Sequence, residues 1–223
     1  MARPTLESLK SAVIDPFSCA PPGRPALNYA DYLQLPAAAR SGDEMDAVDH
    51  EFSTRLLDWL GFSEAPCNVQ HNRARTGGIP DHIVEVNGVP VLVWEDKGTA
   101  EEFQTAHERQ IERYAQGRAT YAVWTNARRL IGFRVEPDGA LTRLMEIDVE
   151  AAFGVQSAMP ALLDQLENDL AYFKLLLSAQ RFIEFDALAE ALAIDESTFL
   201  SREPCRSLVM LPLRPFWVEL GLS

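Results

Sequence analysis

Cysteine and histidine are both scarce in this 223-residue sequence, which has three cysteines (Cys19, Cys67 and Cys205) and four histidines (His50, His71, His82 and His107). The cysteines are odd in number and widely spaced, and no Cys-x-x-Cys pair occurs. This pattern argues against a disulfide framework and indicates reduced thiols in a cytoplasmic protein. The histidines lack the spacing of zinc ligands, so we expect ordinary surface or hydrogen-bonded core histidines.

Long apolar runs are absent as well. No uninterrupted hydrophobic stretch approaches the roughly 20 residues that a membrane-spanning helix needs. The first ten residues, MARPTLESLK, lack the apolar centre of a secretory signal. We therefore expect no membrane partner and a cytoplasmic location.

Positive charge is in short supply, with 20 Lys and Arg against 33 Asp and Glu and a net charge of −13. Taken as a whole, this balance is unfavourable for a nucleic-acid partner. The acidic excess is uneven, however. The segment from Arg73 to Arg134 contains nine basic and eight acidic residues, a charge of +1. This central segment can still approach a polyanion.

The apolar patterning, in a chain that is 47% hydrophobic, predicts an α/β fold. A short helix is expected around residues 29–35, and a strong one begins at Ser41 or Asp43 and ends before Gly61. Three strands follow at residues 67–71, 81–86 and 89–95, then a helix at 101–116 and two strands in TYAVWTN and LIGFRV. The order predicts a mixed central β-sheet flanked by helices.

After about residue 147 the apolar pattern changes from that of mixed strands and helices to that of helices. Apolar residues recur at helical steps of three and four in Met159, Leu163, Leu166, Leu170, Phe173 and Leu177, which predicts a helix with one apolar seam. A second helix is expected at 185–193, whereas the Pro-interrupted residues 201–223 match no regular element. We predict a domain at 1–147, with its core at 43–135, and a helical connector or extension at 148–223. The apolar ending suits either a tail that docks on a partner or a chain cut from a larger polypeptide.

The most informative stretch is GGIPDHIVEVNGVPVLVWEDKG, residues 77–98. Its Asn-Gly dipeptide predicts a tight hairpin, which sets Asp81 beside the end of the second strand. Because side chains alternate along a strand, Glu95 and Lys97 are expected on one face, and Trp94 and Asp96 on the other. Asp96 is expected to be solvated.

Two carboxylates and an ammonium group at one sheet edge suit the chemistry of phosphodiester hydrolysis. Neighbouring carboxylates repel each other unless a cation or a proton lies between them. Oxygen ligands with open positions are what Mg²⁺ accepts, and the ion activates a bound water and neutralises charge on phosphorus. The pattern therefore predicts a Mg²⁺ site, at which Mn²⁺ can substitute.

The order PD, thirteen residues, then Glu-x-Lys resembles the PD-(D/E)xK nuclease superfamily. The later Gln-x-x-x-Tyr in QIERY and the Thr-Asn ending of YAVWTN are similar to the amino-terminal nuclease domains of Type I and Type IIG restriction enzymes. The resemblance implies a restriction-endonuclease-like core. It implies Asp81 and Glu95 as metal ligands and Lys97 as the catalytic lysine.

The resemblance also implies further site residues. Gln110 and Tyr114 share one helix face and are candidates to orient the lysine or a phosphate. An acid on the preceding helix is a third metal ligand, and Glu51 fits that role best, with Glu44, Asp46 and Asp49 as competitors. The basic residues Arg73, Arg75, Arg128 and Arg129 are candidates for DNA phosphate contacts, although surface arginines more often serve solubility.

The function implied is a Mg²⁺-dependent restriction-type endonuclease acting on double-stranded DNA. No methyltransferase motif occurs and no element is typical of a major-groove reader. Sequence recognition and methylation are therefore expected from a partner domain or subunit. Two alternatives stay open: a non-catalytic DNA-binding or interaction module on a nuclease scaffold, and a repair or mobile-element nuclease.

Overall fold

The computed structural model describes residues 4–40, 42–72, 78–155 and 159–184. Within these ranges six strands form one sheet in chain order: β1 (Cys67–His71), β2 (His82–Val86), β3 (Val89–Asp96), β4 (Tyr121–Thr125), β5 (Arg129–Val135) and β6 (Leu141–Asp148). Neighbouring strands are antiparallel except β3 and β4, which are parallel. The predicted α/β class with a mixed sheet is confirmed.

The helices are α1 (Pro4–Leu9), α2 (Tyr29–Leu33), α3 (Thr54–Trp59), α4 (Thr105–Ala115), α5 (Val149–Phe153) and α6 (Pro160–Leu177). A π-helical turn, Lys10–Ile14, extends α1, a 3₁₀ turn covers Ala37–Arg40, and a π-helical segment, Glu44–Ser53, leads directly into α3. Among the described helices, none combines the length and the apolar character that crossing a bilayer requires.

The β2–β3 hairpin forms at the predicted dipeptide. Asn87 and Gly88 have φ values of 52° and 77°, the positive φ values that a tight hairpin turn of the twisted sheet demands. Val86 pairs with Val89 next to the turn, and His82 pairs with Trp94 at the other end. The start of β2 therefore lies beside the end of β3.

Helix α4 connects the parallel strands β3 and β4, because parallel neighbours need a crossover. Its Ile111 and Tyr114 pack against Val93 and Trp124 on one face of the sheet. The opposite face, which includes Trp94, is covered by α1, the π-helical segment, α3 and α6 in a larger hydrophobic core. The sheet is thus covered on both faces.

Strand β6 is absent from the sequence prediction, which has two strands after α4 where the structure has three. Residues Leu141–Asp148 pair antiparallel with β5. The apolar alternation of this strand is weak because Arg143, Glu146 and Asp148 interrupt it. An edge strand with one half-exposed face resembles a loop in composition.

Helix α6 confirms the predicted apolar helix after residue 147. Its buried residues are Leu166, Leu170, Phe173, Leu176 and Leu177, and they join the larger core. Met159 precedes the helix and is 77% exposed, so it does not belong to the seam. The helix predicted at 185–193, the segment 201–223 and Cys205 lie outside the described residues. The domain boundary near residue 147 stays a prediction.

Candidate functional site

Asp81, Glu95 and Lys97 converge at one end of the β2–β3 hairpin. The backbone N–H of Asp96 donates to Asp81 Oδ2 at 2.8 Å. Lys97 Nζ donates to Glu95 Oε1 and, at 2.8 Å, to the carbonyl oxygen of Asp96. Glu95 and Lys97 share a face of the strand end, as the alternation predicts. The hairpin therefore gathers two carboxylates and one ammonium group.

Glu95 is the most buried member of this cluster, at 2% exposure. Burial and the negative charge of Asp81 raise the pKa of Glu95 to about 8, against the opposing pull of Lys97. Burial also raises the pKa of Asp81, and the charge of Asp96 acts in the same direction. Both carboxylates therefore favour binding a proton or, in place of the proton, a cation.

Within the described part of the chain, one oxygen of Glu95 has no hydrogen-bond donor. Oε1 is hydrogen-bonded, whereas Oε2 is buried and makes no hydrogen bond with any described residue. A buried, unpaired carboxylate oxygen is unfavourable, and such groups require an explanation. A hard divalent cation is a chemically suitable partner, because Mg²⁺ prefers carboxylate oxygens. The donor set of Glu95 and Asp81 fits this ion.

Helix α4 supplies the next layer of the cluster. Gln110 Nε2 donates to Glu95 Oε1 at 2.6 Å and lies 3.0 Å from the hydroxyl of Tyr114. Gln110 and Tyr114 are four residues apart and share one helix face, as predicted. Gln110 touches Glu95 directly, whereas the hydroxyl of the buried Tyr114 contacts Gln110. The two side chains fix the Glu95 carboxylate.

The loop that follows Lys97 is fastened to the start of the π-helical segment. Asp43 accepts hydrogen bonds from the backbone N–H of Thr99 at 3.0 Å, from the Thr99 hydroxyl, and from Tyr32 at 3.2 Å. Arg40 donates to the Thr99 hydroxyl at 2.6 Å. A Cβ at Gly98 would lie 3.0 Å from Asp43 Oδ1, so the close approach favours glycine.

This anchor brings Glu44 toward the cluster, because Glu44 is the residue after Asp43. The pKa of Lys97 is lowered by burial, but pairing with Glu95 and the charges of Glu44 and Asp81 outweigh that effect and raise it. Lys97 is therefore charged at neutral pH. Glu44 is the acid of the preceding helical segment whose charge acts on Lys97.

Glu51, the preferred helix acid from sequence, has its contacts elsewhere. Its carboxylate accepts a hydrogen bond from the backbone N–H of Ser18 at 3.0 Å and pairs with Arg55 at 3.0 Å. Glu44 and Glu51 are seven residues apart, which is two turns of an α-helix and hence one face. The segment is π-helical, with wider turns, so the two residues do not share a face.

Asp96 is buried, so the expectation that it is solvated is wrong. It accepts hydrogen bonds from Ser53 Oγ at 2.5 Å and Trp94 Nε1 at 3.0 Å, and it lies 2.8 Å from His82 Nε2. Three donors offset the desolvation of the carboxylate. The alternation correctly placed Asp96 on the face opposite Glu95, and that face is packed against the π-helical segment.

Sequence reasoning also missed a histidine pair beside Asp96. His82 is fully buried, and its Nδ1 lies 2.9 Å from Nδ1 of His71. Asp49 Oδ1 lies 3.5 Å from His82 Nε2. His71 and His82 are cross-strand partners in β1 and β2. The only available signal was that pairing, which requires the strand register and not the spacing along the chain.

The structure describes two of the four arginines that were predicted to contact DNA phosphates. Arg73 and Arg75 lie outside the described residues. Arg128 pairs with Glu150 at 2.7 Å, and Arg129 lies 3.4 Å from Glu146. Contacts of these arginines with a phosphate backbone stay predictions.

Comparison with known proteins adds no family. No family model matches this chain, and no curated protein or solved structure matches it. The features of this chain that bear on its function are the geometry of the Asp81–Glu95–Lys97 cluster and the sequence resemblance.

Proposed function

We propose that this chain is a Mg²⁺-dependent endonuclease that hydrolyses phosphodiester bonds of double-stranded DNA. The observation that carries the proposal is the buried Glu95, which has one oxygen without a donor among the described residues and lies in a cluster with Asp81 and Lys97. This cluster has the residue types and order of the PD-(D/E)xK active site. The restriction-endonuclease-like core belongs to the same proposal.

Each residue has a defined part in this reaction. Glu95 and Asp81 hold the ion, with Glu44 as the third acid in place of Glu51. A bound Mg²⁺ or Mn²⁺ supplies a water of lowered pKa and neutralises charge at phosphorus. Lys97 is charged and fixed by Glu95, so it can orient the attacking water or stabilise the phosphate. Gln110 holds the Glu95 carboxylate in its orientation.

The restriction role and the partner rest on the resemblance. In Type IIG enzymes such a nuclease domain is followed by a helical connector and a methyltransferase, so a methyltransferase or specificity partner is part of the proposal. The overall charge of −13 agrees with this division, because a partner would supply much of the DNA affinity.

Cleavage of supercoiled plasmid DNA in Mg²⁺ or Mn²⁺ tests the proposal. We expect Glu95→Gln and Lys97→Ala to lower the cleavage rate by at least 100-fold, because each removes a group that acts on the scissile phosphate. Glu85→Gln is the matched control, since Glu85 lies on β2 and bonds to Asn68 and Gln70. Thermal unfolding shows whether each variant is folded.

The same variants separate a nuclease from a non-catalytic module. Parental cleavage by folded Glu95→Gln and Lys97→Ala proteins would refute the proposal. Calorimetric Mn²⁺ binding that disappears in Asp81→Asn, without cleavage by the parent on any DNA, would favour the binding module. Cleavage profiles on methylated and unmethylated DNA distinguish restriction from repair.

A further inference from the structure

A second set of potential metal ligands lies on the face of the sheet opposite Glu95. It comprises Asp49 from the π-helical segment, His71 at the end of β1 and His82 at the start of β2. One nitrogen of each imidazole and one carboxylate oxygen of Asp49 all lie within 4.8 Å of one another. Because His71 and His82 are paired across the strands, the sheet itself holds the two rings side by side.

The imidazoles of His71 and His82 face each other with the same ring atom, Nδ1. Their Nδ1 atoms are 2.9 Å apart, and the rings are nearly perpendicular, at 87°. A hydrogen bond at this distance requires one proton between the two nitrogens, with one ring donating and the other accepting. A cation that binds both nitrogens can replace that proton, which is released to solvent.

His82 already has the outer hydrogen bond that is typical of a metal-binding histidine. Its Nε2 lies 2.8 Å from Asp96 Oδ2, and Asp96 is fixed in turn by Ser53 and Trp94. A carboxylate on the far nitrogen sets the ring orientation and increases the basicity of the nitrogen that faces the ion. With Nε2–H donated to Asp96, the Nδ1 lone pair of His82 is directed toward His71.

We propose that Asp49, His71 and His82 form a binding site for a transition-metal ion of the Zn²⁺ class, separate from the carboxylate cluster of Asp81 and Glu95. Two imidazoles and one carboxylate favour Zn²⁺, Co²⁺ or Ni²⁺ over Mg²⁺, which prefers oxygen ligands alone. Ligand atoms about 2.0–2.2 Å from a tetrahedral Zn²⁺ lie about 3.3–3.5 Å from each other. The two Nδ1 atoms, which are 2.9 Å apart, therefore separate slightly on binding. His71 is partly exposed and provides access from solvent.

The consequence of binding is structural and does not depend on the proposed nuclease function. The ion would join β1, β2 and the π-helical segment at the strand end where Asp96 N–H holds Asp81. A ligand that binds only the native state stabilises it in proportion to the logarithm of its concentration over Kd. Zn²⁺ therefore raises the melting temperature of the protein even when the carboxylate cluster is disabled.

The test is metal binding by the full chain after chelator treatment. Zn²⁺ binding is measured by calorimetry, and Co²⁺ binding by its visible absorption, in the Glu95→Gln background so that the carboxylate cluster does not compete. We expect one equivalent of Zn²⁺ to bind, and at least tenfold weaker binding in His71→Ala and Asp49→Asn. His50→Ala is the control, because His50 is exposed and adjacent to Asp49 in the chain.

The binding measurements either support the proposed site or overturn it. Loss of binding in His71→Ala and Asp49→Asn, with binding kept in His50→Ala, supports the site. Unchanged binding in a folded His71→Ala protein, or no binding to the Glu95→Gln parent, overturns it. His71→Ala is informative because this partly exposed side chain can be removed with less damage to the core than His82. DNA cleavage is not part of the readout, so a failure of the nuclease proposal leaves this result unaffected.

Discussion

Glu95 is held between a cation, Lys97, and an anion, Asp81, in a site that water hardly reaches. Burial and Asp81 together outweigh Lys97, and the pKa of Glu95 lies near 8. The native protein without a metal therefore keeps a proton on Glu95 that the unfolded chain, with the ordinary value of 4.5, releases in the range between these pH values. The contribution of Glu95 to the free energy of unfolding therefore falls as pH rises through this range.

Glu95→Gln tests this pH dependence, because glutamine resembles the protonated form at every pH. In EDTA we expect the variant and the parent to be about equally stable at pH 5. At pH 8 the variant is expected to be more stable by roughly 1–4 kcal/mol. Urea unfolding at both pH values measures the difference. Parallel pH profiles would contradict the raised pKa, and Mg²⁺ at pH 8 should stabilise the parent only.

Glu44 and Glu51 make a matched pair on one helical segment. Glu44 acts electrostatically on Lys97, whereas Glu51 bonds to Ser18 and Arg55. We expect Glu44→Gln to lower Mg²⁺-dependent cleavage at least tenfold, and Glu51→Gln to change it by less than about twofold. Plasmid cleavage against Mg²⁺ concentration measures both. The reverse result would restore Glu51 as the third acid.

The sequence was sufficient to predict the positions of those side chains that follow from strand alternation and one turn. Asp81, Glu95 and Lys97 belong to this group, since Asn87 and Gly88 fix the hairpin that joins them. Glu44 was only one of several acids in this segment, and neither the resemblance nor the spacing along the chain determines which of them approaches Lys97. Predicting the hydrogen bonds of Asp96 with His82 and Ser53 would have required the strand pairing and the packing of the π-helical segment. The spacing of residues along the chain contains neither.

At the scale of secondary-structure elements, the cluster depends on one short connection. The loop after β3 carries Lys97 and Gly98 past the start of the π-helical segment, and Thr99 fastens it there through Asp43 and Arg40. Asp43 was expected to cap the helix, but its side chain makes no cap bond and serves this loop instead. The position of Glu44 relative to Lys97 is a consequence of that anchor.

Thr99→Val tests the anchor, because it removes the hydroxyl and keeps the shape of the side chain. Asp43 loses a donor and Arg40 loses an acceptor, both in a buried setting, so we expect a loss of about 1–3 kcal/mol in the free energy of unfolding. Thr99→Ser retains the hydroxyl and should lose much less. Chemical denaturation of the three proteins measures this. Equal stability of Thr99→Val and the parent would show that the hydroxyl contributes little.

Across the whole molecule, the two ends of the described chain are joined. The carboxylate of Glu167 on α6 accepts the backbone N–H groups of Thr5 at 2.7 Å and Leu6 at 2.8 Å. These are donors of the first turn of α1, which has no intrahelical partners for them, and the helix dipole favours a negative charge there. The sequence predicted α6 from its apolar seam, but not this contact, because a cap supplied from 161 or 162 residues away leaves no local pattern.

Glu167→Gln measures how much this long-range cap contributes. Glutamine has one acceptor oxygen where the carboxylate has two, so it can accept a hydrogen bond from only one of the two N–H groups. It also has no charge to interact with the helix dipole. We therefore expect a loss of about 1–2 kcal/mol in the free energy of unfolding. Glu7→Gln is the control, since Glu7 is an exposed acid on α1 and its change should cost less than about 0.5 kcal/mol. Urea unfolding of the full chain provides both values. Because the described hydrogen bonds of Glu167 join α1 to α6 and none of them involves Glu95, cleavage by the folded Glu167→Gln protein should equal that of the parent. A folded variant with the parent's stability would mean that solvent replaces the carboxylate at no cost.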